Sequence, residues 1–297
     1  MSYKSFAVVG GGKIGMPIVK ALAAQNVAVV LLSRSGLDAA RLESIPAGAT
    51  VATVDTTDVV AVAAVFEQNK VEVVISTITT AAVGAQTVLV DAAKGAGVKL
   101  FAPSEFGMST EGDINNPKNK TIGMSPSRPM SSMAHQETEY IKTSGVPYAR
   151  FFNGMITEFL PFLIGCNKEE RKITLVGKGD AAVSFTSIRD IAGFVAYVLT
   201  TLPPSKLENR IFRLQGDRAT MNELGAIFNA EVEHTDKITG PIGDFKTMML
   251  LLTDTGVGST RWDADKKAER SGNEAAGSAN ALWPGHHWNS IQEVHNL

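Results

Sequence analysis

Short apolar runs alternate with helical patterns along the first half of the chain. Runs rich in valine, isoleucine and leucine predict buried strands at residues 6–9, 27–32, 51–54, 71–76 and 98–102. Apolar residues at helical spacing predict helices at residues 16–24, 58–68 and 83–96, the last ending at Gly97. This alternation is typical of right-handed βαβ units around a parallel sheet. The pattern therefore predicts the α/β class with a doubly wound parallel sheet.

The second half continues the sheet and then becomes more mixed. Strands are predicted at residues 150–153, 173–176, 182–186 and 210–215, and helices at residues 188–202, 220–228 and 245–253. A glycine turn at 177–180 is expected to join two of these strands. Thr220 and Glu223 have the spacing of a capping box. Residues 263–280, charged and then rich in Gly, Ala and Asn, are expected to be the least ordered part.

A length of 297 residues suits one large domain or two ordinary ones. The shift in pattern predicts a doubly wound domain at residues 1–154. Residues 155–297 are expected to form a smaller α+β region, with some segments returning to the first sheet. We expect this second region to hold the substrate.

Three glycines, Gly10, Gly12 and Gly15, directly follow the first predicted strand and precede the first predicted helix. This is the position and spacing of the G-x-G-x-x-G dinucleotide fingerprint. Its first glycine permits a tight turn, its second admits a pyrophosphate, and its third lets helix and strand pack closely. The helix N-terminus offers N–H groups and partial positive charge to the phosphates. The motif predicts a Rossmann-type dinucleotide site, although glycines also occur in ordinary turns.

The second predicted strand ends in Ser33, Arg34 and Ser35. At this place in a Rossmann unit, an acidic residue reads the ribose of NAD, whereas arginine accommodates the 2′-phosphate of NADP. A guanidinium is a forked donor with a permanent charge, and the serines can add hydrogen bonds to phosphate. The pattern favours NADP over NAD. The alternative is an arginine that is simply solvated in a loop.

Charge and composition exclude several classes of function. The net charge is −2 with both signs spread along the chain, so no nucleic-acid partner is expected. No stretch has the length of uncharged apolar residues that a membrane span needs. The single cysteine, Cys166, cannot form an internal disulfide. We expect a soluble cytoplasmic protein. We also expect no metal site, because His286 and His287 are adjacent and lack partners at ligand spacing.

Several strings resemble one family. Residues 101–107, Phe-Ala-Pro-Ser-Glu-Phe-Gly, are the most specific, and residues 143–154, 190–192 and 282–285 add to them. The chain is similar to NmrA-like and isoflavone-reductase-like proteins, which are atypical short-chain dehydrogenases/reductases. The resemblance spans nearly the whole chain. The family's reductases usually have G-x-x-G-x-x-G, so the glycine turn here is one residue shorter.

The resemblance implies an NADPH-binding Rossmann domain and a smaller C-terminal part that closes over substrate. The residues expected at the cofactor are Gly10, Gly12, Lys13, Ile14, Gly15, Ser33, Arg34, Ser35, Thr77, Ile78, Pro103, Ser104, Glu105, Phe106 and Asn153. The residues expected at the substrate are Phe106, Met133, Gly154, Met155 and Phe159. The alternative for those that follow the sixth strand is a place in the core between domains.

The usual proton donor of the family's reductases is missing from this sequence. By the family's spacing the reductases' lysine falls on Ala134, and a Tyr-x-x-x-Lys pair is also absent at Tyr140 and Tyr148. His135 is a candidate donor because its pKa lies near neutrality, and Lys120 is a second candidate. Both can equally be solvated surface residues. The long stretch 108–132 that carries Lys120 is expected to be a lid over a flat apolar or aromatic substrate, or else a surface excursion.

Three functions remain open. The first is an NADPH-dependent reductase of a small, aromatic or polyketide-like secondary metabolite. The second is a non-catalytic NADP-binding redox sensor with a protein partner, as the vacant lysine position allows. The third is a lyase, isomerase or cyclase on the same scaffold. The fold does not decide among them. A small-molecule substrate and a monomer or homodimer are expected.

Overall fold

Five parallel strands form the central sheet. The computed structural model describes residues 2–36, 38–79, 86–111, 139–166 and 169–297. The strands are β1 (Ser5–Val9), β2 (Ala28–Ser33), β3 (Ala49–Thr53), β4 (Val73–Ser76) and β5 (Leu100–Ala102). Their spatial order is β3-β2-β1-β4-β5, and β1 pairs in parallel with both β2 and β4. The predicted doubly wound parallel sheet is confirmed, with its topological switch point between β1 and β4.

Helices connect these strands, and α1, α3 and α4 lie where the apolar spacing predicts them, whereas the short α2 was not predicted. They are α1 (Gly15–Ala23), α2 (Ala39–Glu43), α3 (Val59–Gln68) and α4 (Gln86–Gly95). Asp58 caps α3, since its Oδ1 accepts hydrogen bonds from the N–H groups of Val60 and Ala61 at 2.9 and 3.0 Å. Val62 and Phe66 are the buried side of the same helix. Residues of the sheet pack with the buried sides of α3 and α4 in one apolar cluster, and Ile18, Val19 and Leu22 are the buried side of α1.

Among the described residues, nine further strands follow. They are β6 (Ala149–Phe152), β7 (Met155–Ile156), β8 (Lys172–Val176), β9 (Ala182–Thr186), β10 (Arg210–Arg213), β11 (Asp217–Thr220), β12 (Glu231–Thr235), β13 (Trp262–Asp263) and β14 (Ala268–Glu269). The later helices and helical turns are Thr157–Phe159, Leu160–Leu163, Ile188–Thr201, Pro204–Lys206, Glu223–Phe228, Gly243–Asp254, Gly272–Glu274, Asn280–Leu282 and Ile291–His295. Residues 139–144 are also helical.

β6 and β10 extend the parallel arrangement beyond β5. The N–H of Phe101 in β5 donates to the carbonyl of Pro147 at 2.8 Å, and Phe101 bridges Tyr148 in parallel. On the other side, β6 pairs with β10. Phe151 of β6 stacks on Phe212 of β10 with ring centroids 5.1 Å apart. Phe194 from the helix Ile188–Thr201 packs edge-on against both rings, so this helix covers the added strands.

The two predicted strands on either side of the glycine turn are present, but they do not pair with each other. The strands exist as β8 and β9, but they belong to different sheets. β8 pairs in parallel with β12, whereas β9 pairs antiparallel with β11 and in parallel with β7. A glycine turn between two apolar runs predicts a hairpin locally. Here the partners come from residues 155–156 and 217–235, which a local pattern does not reveal.

Residues 263–280 are ordered by charge rather than by apolar burial. β13 and β14 form a short antiparallel ladder. Arg270 lies 3.3 Å from Glu111, 3.5 Å from Asp263 and 3.2 Å from Glu274. The expectation that this is the least ordered part therefore does not hold. The ion pairs that hold it join residues in a way that an apolar period does not reveal.

The chain divides into two compact units. The first contains the described parts of Met1–Glu105, Ser125–Phe151 and Ile191–Phe212, and the second contains those of Phe106–Met124, Phe152–Asp190 and Arg213–Leu297. The predicted division at residue 154 stays a prediction. Across the described residues, no helix combines the length and apolarity required to cross a bilayer.

Glu158 caps the first residue of the helix Ile188–Thr201, and both Glu158 and Ile188 belong to the second unit. Both carboxylate oxygens of Glu158 accept from the Ile188 N–H, at 2.9 and 3.0 Å. Burial raises the pKa of Glu158, and the Asp190 carboxylate adds to the rise, while hydrogen bonds and His295 oppose it. The folded state therefore binds the proton more readily than the unfolded state does. The stabilising contribution is full below the unfolded pKa and is lost as the pH rises through the folded pKa.

Glu158→Gln should remove this pH dependence, because the amide oxygen can still accept from Ile188 without carrying charge. The free energy of unfolding of the variant, relative to wild type, should rise between pH 4.5 and neutrality. Urea denaturation across that range measures it. Glu67→Gln, at an exposed position on α3, is the control and should show no such trend. A pH-independent difference for Glu158→Gln would contradict the assignment.

Candidate cofactor site

The carboxyl ends of four strands in the first unit carry most of the predicted site residues. Gly10 follows β1, Arg34 follows β2, Thr77 follows β4 and Pro103 follows β5. Because parallel strands end at one edge of a sheet, these segments share the edge where open α/β sheets bind ligands. The sheet order places β1 and β4 side by side in its centre.

The glycine turn is shaped by close backbone packing. Gly10 has a φ of 103°, and its N–H donates to the carbonyl of Leu32 at 3.0 Å. A Cβ on Gly15 would overlap the Gly10 carbonyl oxygen and lie 2.5 Å from Thr77 Oγ1. A Cβ on Gly12 would have no described atom within 4 Å. The turn is therefore closed at Gly10 and Gly15 and open at Gly12, as the three roles in the fingerprint require.

Thr77 braces this turn from the end of β4. Its hydroxyl donates to the carbonyl of Gly10 at 2.8 Å, with the carbonyl of Val9 at 3.1 Å. Its N–H donates to the same Val9 carbonyl at 2.8 Å. The resemblance implies that Thr77 flanks the cofactor. The structure shows that its hydroxyl holds the two central strand ends together, a role that the sequence pattern did not indicate.

Arg34 is exposed beyond the end of β2. The neighbouring Ser33 uses its hydroxyl to donate to the carbonyl of Ser35 at 2.7 Å. Across the strand ends, the N–H and hydroxyl of Thr57 lower the pKa of Asp55, and the positive charge of Arg34 contributes to that shift. An ionised carboxylate and an exposed guanidinium therefore lie within electrostatic reach of each other at this edge.

Ser104 and Glu105 are each held by a buried polar side chain. The Ser104 N–H donates to Oε1 of Gln86 at 2.7 Å, and its hydroxyl donates to the Ile78 carbonyl at 2.8 Å. Arg150 of β6 donates two hydrogen bonds to the Glu105 carboxylate, from Nε to Oε2 and from Nη2 to Oε1, the second at 2.9 Å. The side chains of Arg150 and Glu105 are only 4% and 6% exposed. The ion pair between Glu105 and Arg150 thus links the segment after β5 to β6.

Sequence reasoning missed Gln86 and Arg150. Arg150 carried a usable signal, because a charged residue inside a buried strand requires a partner. Gln86 carried none, since a single glutamine at the start of an apolar helix is ordinary. Both lie in the first unit.

Four residues predicted at the substrate, Phe106, Gly154, Met155 and Phe159, fall in the second unit, as does Asn153, which is predicted at the cofactor, and these roles stay predictions. Asn153 is fully buried. Its backbone N–H donates to the Gly107 carbonyl at 3.0 Å, and its side-chain Nδ2 donates to the Gly154 carbonyl at 3.1 Å. Gly154 has a φ of 67°, and a Cβ there would overlap the Ser184 carbonyl. Met155 is buried and Phe159 half-buried. Phe106 begins this unit. His135, Lys120 and Met133 lie outside the described residues.

The late histidines each have a partner of their own. Nε2 of His286 lies 2.9 Å from the buried Asp190 carboxylate, and Nε2 of His287 lies 2.7 Å from Glu293. In the part of the chain that the structure describes, no group of three or more His, Cys, Asp and Glu residues is placed to hold a metal ion.

A parallel sheet with its switch point at β1 and β4, and a glycine turn between β1 and α1, defines a Rossmann-type dinucleotide-binding protein. The residues present fit such a group. Gly12 leaves room for a pyrophosphate beside the start of α1, which has no side-chain cap. Arg34 is exposed at the end of β2, the place where Rossmann units read the ribose. The chain matches the NmrA-like family over residues 2–260 and belongs to it.

Relatives carry the names of oxidoreductases. The chain is 31% identical to the oxidoreductase aprR of Aspergillus flavus over 230 residues, which is 75% of this chain and 72% of that protein. It is 28% identical to an isoflavone reductase homolog of Arabidopsis thaliana over 173 residues, covering 55% of this chain and 52% of the relative. The chain therefore matches only about half the length of this plant relative.

The fold is shared with a solved plant reductase. The structure of the binary complex of leucoanthocyanidin reductase with NADPH, from Vitis vinifera, superposes with a TM-score of 0.76. The two chains are 18% identical, and 98% of each is covered. This likeness confirms the Rossmann-type architecture.

Proposed function

We propose that this protein is an NADP-dependent oxidoreductase that reduces a small organic molecule. The observation that carries the cofactor assignment is the glycine turn, which is closed at Gly15 by backbone packing and open at Gly12, with Arg34 exposed after β2. Membership of the NmrA-like family and the oxidoreductase relatives support the same function. The solved reductase that shares the fold is a complex with NADPH.

The chain's own residues bind and orient the cofactor. Backbone N–H groups at Gly12, Lys13, Ile14 and Gly15 would hold the pyrophosphate at the start of α1, and Gly10, whose N–H donates to Leu32, would shape the turn beside it. Arg34 pairs with the 2′-phosphate. When bound, the cofactor supplies the hydride, and the protein supplies orientation and a proton source. The hydroxyl groups of Thr77 and Ser104 donate to the Gly10 and Ile78 carbonyls and so hold in place the strand ends that would contact the cofactor.

We propose that the substrate is aromatic or polyketide-like. Relatives with the names isoflavone reductase homolog and phenylcoumaran benzylic ether reductase support an aromatic substrate. Asn153, Gly154, Met155 and Phe159 are the proposed pocket residues, together with Phe106 and Met133. His135 is the proposed proton donor, with Lys120 as the second candidate, because Ala134 occupies the position of the family's lysine.

Arg34→Ala should weaken NADPH binding by about 10- to 100-fold, since it removes charge-assisted hydrogen bonds to the 2′-phosphate. NADH lacks that phosphate, so its affinity should be unchanged. Titration of each nucleotide by calorimetry or by NAD(P)H fluorescence measures both constants. Arg41→Ala, an exposed arginine on α2, is the matched control and should alter neither. Equal loss for both nucleotides, or a wild-type preference for NADH, would contradict the NADP assignment.

A second function follows from one observation, the absence of a lysine at Ala134. It is a non-catalytic NADP-binding regulator that distinguishes the oxidised from the reduced cofactor. Such a protein binds NADPH with the same dependence on Arg34 but does not consume it. NADPH oxidation in the presence of a panel of aromatic carbonyl compounds and enones supports the reductase. Saturable binding without turnover supports the regulator.

A further inference from the structure

Gln86, the first described residue of α4, is a buried polar side chain next to the cofactor edge. It is only 2% exposed, although glutamine is usually a surface residue. Its Oε1 accepts the Ser104 N–H at 2.7 Å. A buried amide without a hydrogen-bond partner costs free energy, so the partner that this amide has indicates its role.

Ser104 links Gln86 to the loop that follows β4 through two hydrogen bonds. Its N–H is fixed by Gln86, and its hydroxyl donates to the Ile78 carbonyl at 2.8 Å. The peptide plane between Ile78 and Thr79 is thereby oriented, because a carbonyl and the N–H of the same trans peptide point in opposite directions. Thr77, one residue earlier, donates to the Gly10 carbonyl in the glycine turn.

These bonds form one connected chain across three strand ends. It runs from Gln86 on α4 through Ser104 after β5 to Ile78 and Thr77 after β4, and from there to Gly10 after β1. All of its members lie in the first unit. Gly10, residues 77–78 and Ser104 itself are among the residues expected at the cofactor, whereas Gln86 is not.

We infer that Gln86 is a positioning residue for the cofactor, which fixes the loop 77–79 through Ser104 so that the glycine turn is preorganised for binding. The inference rests on the proposed NADP site. Gln86 need not touch the cofactor itself. Its effect is on affinity, because a site that is ordered before binding loses less conformational freedom on binding.

Gln86→Leu keeps the approximate size of the side chain and removes the acceptor for the Ser104 N–H. Its NADPH Kd should rise by about tenfold, the effect expected for the loss of one hydrogen bond in the site. Calorimetric titration at a temperature well below unfolding measures the Kd, and thermal denaturation without nucleotide measures stability separately. Gln68→Leu, the same change at the exposed end of α3, is the matched control and should leave the Kd unchanged.

Ser104→Ala provides a second route, because it preserves the N–H to Gln86 and removes only the hydroxyl to Ile78. It should raise the NADPH Kd in the same direction. The double variant should lose no more affinity than the weaker-binding single variant, since both changes act through Ile78. This comparison remains informative if Gln86→Leu lowers the yield of folded protein.

Two results would overturn the inference. Gln86→Leu and Ser104→Ala proteins that melt earlier but bind NADPH with the wild-type Kd would show that the chain of bonds serves stability alone. Fully additive losses in the double variant would show that Gln86 does not act through Ser104 and Ile78. A wild-type protein that binds no NADPH would instead overturn the proposed function, and the inference with it.

Discussion

Gly15→Ala is expected to disrupt the cofactor turn and to lower the stability of the protein. The added Cβ would overlap the Gly10 carbonyl oxygen and approach Thr77 Oγ1 to 2.5 Å, and backbone cannot move aside as a flexible side chain can. Overpacking of this kind costs about 3 kcal/mol. Since Gly10 and Thr77 also shape the site, NADPH binding should be lost together with stability. Urea denaturation of the nucleotide-free protein and NADPH titration measure the two effects.

Gly12→Ala is the matched comparison in the same turn. A Cβ at Gly12 meets no described atom within 4 Å, so the free energy of unfolding should stay at the wild-type value. The methyl group would nevertheless occupy the space through which a pyrophosphate approaches the backbone. NADPH affinity should therefore fall without a change in stability. A stable Gly15→Ala protein, or a Gly12→Ala protein with wild-type affinity, would contradict this account of the turn.

Local patterns predicted the first unit well because its elements are determined by local burial. The strands at Phe6, Val30 and Val74 are apolar runs with helices on both faces, and such runs are readable without knowledge of their partners. Capping chemistry was equally readable. Thr220 and Glu223 exchange the two expected hydrogen bonds, at 2.7 and 3.1 Å, although the helix itself begins at Glu223.

Long-range pairing could not be predicted in the same way. β8 and β9 were predicted correctly as strands, but their partners were not predictable, because each pairs with residues that are remote in sequence. Two polar contacts of the candidate site also join residues that are remote in sequence. Glu105 and Arg150 are 45 positions apart, and Ser104 and Gln86 are 18 positions apart. A sequence pattern shows that each is present, and only the fold shows that they meet.

Arg150→Met should be among the most destabilising substitutions in the first unit. Arg150 and Glu105 form a bidentate pair whose side chains are 4% and 6% exposed, so solvent screens their charges little. Methionine fills much of the volume of the arginine stem but leaves the buried Glu105 carboxylate without its guanidinium. Loss of one partner of a buried pair costs about 3–5 kcal/mol. Urea denaturation at neutral pH measures the loss.

The double variant Glu105→Gln/Arg150→Met separates the charge from the packing. Glutamine removes the stranded charge, so the double variant should regain a large part of the stability that Arg150→Met loses. Arg210→Met, an exposed arginine at the start of β10, is the control and should remain close to wild type. If Arg150→Met were as stable as wild type, the ion pair would contribute nothing to the join between β5 and β6. A double variant no more stable than Arg150→Met would instead assign the loss to packing around the arginine stem.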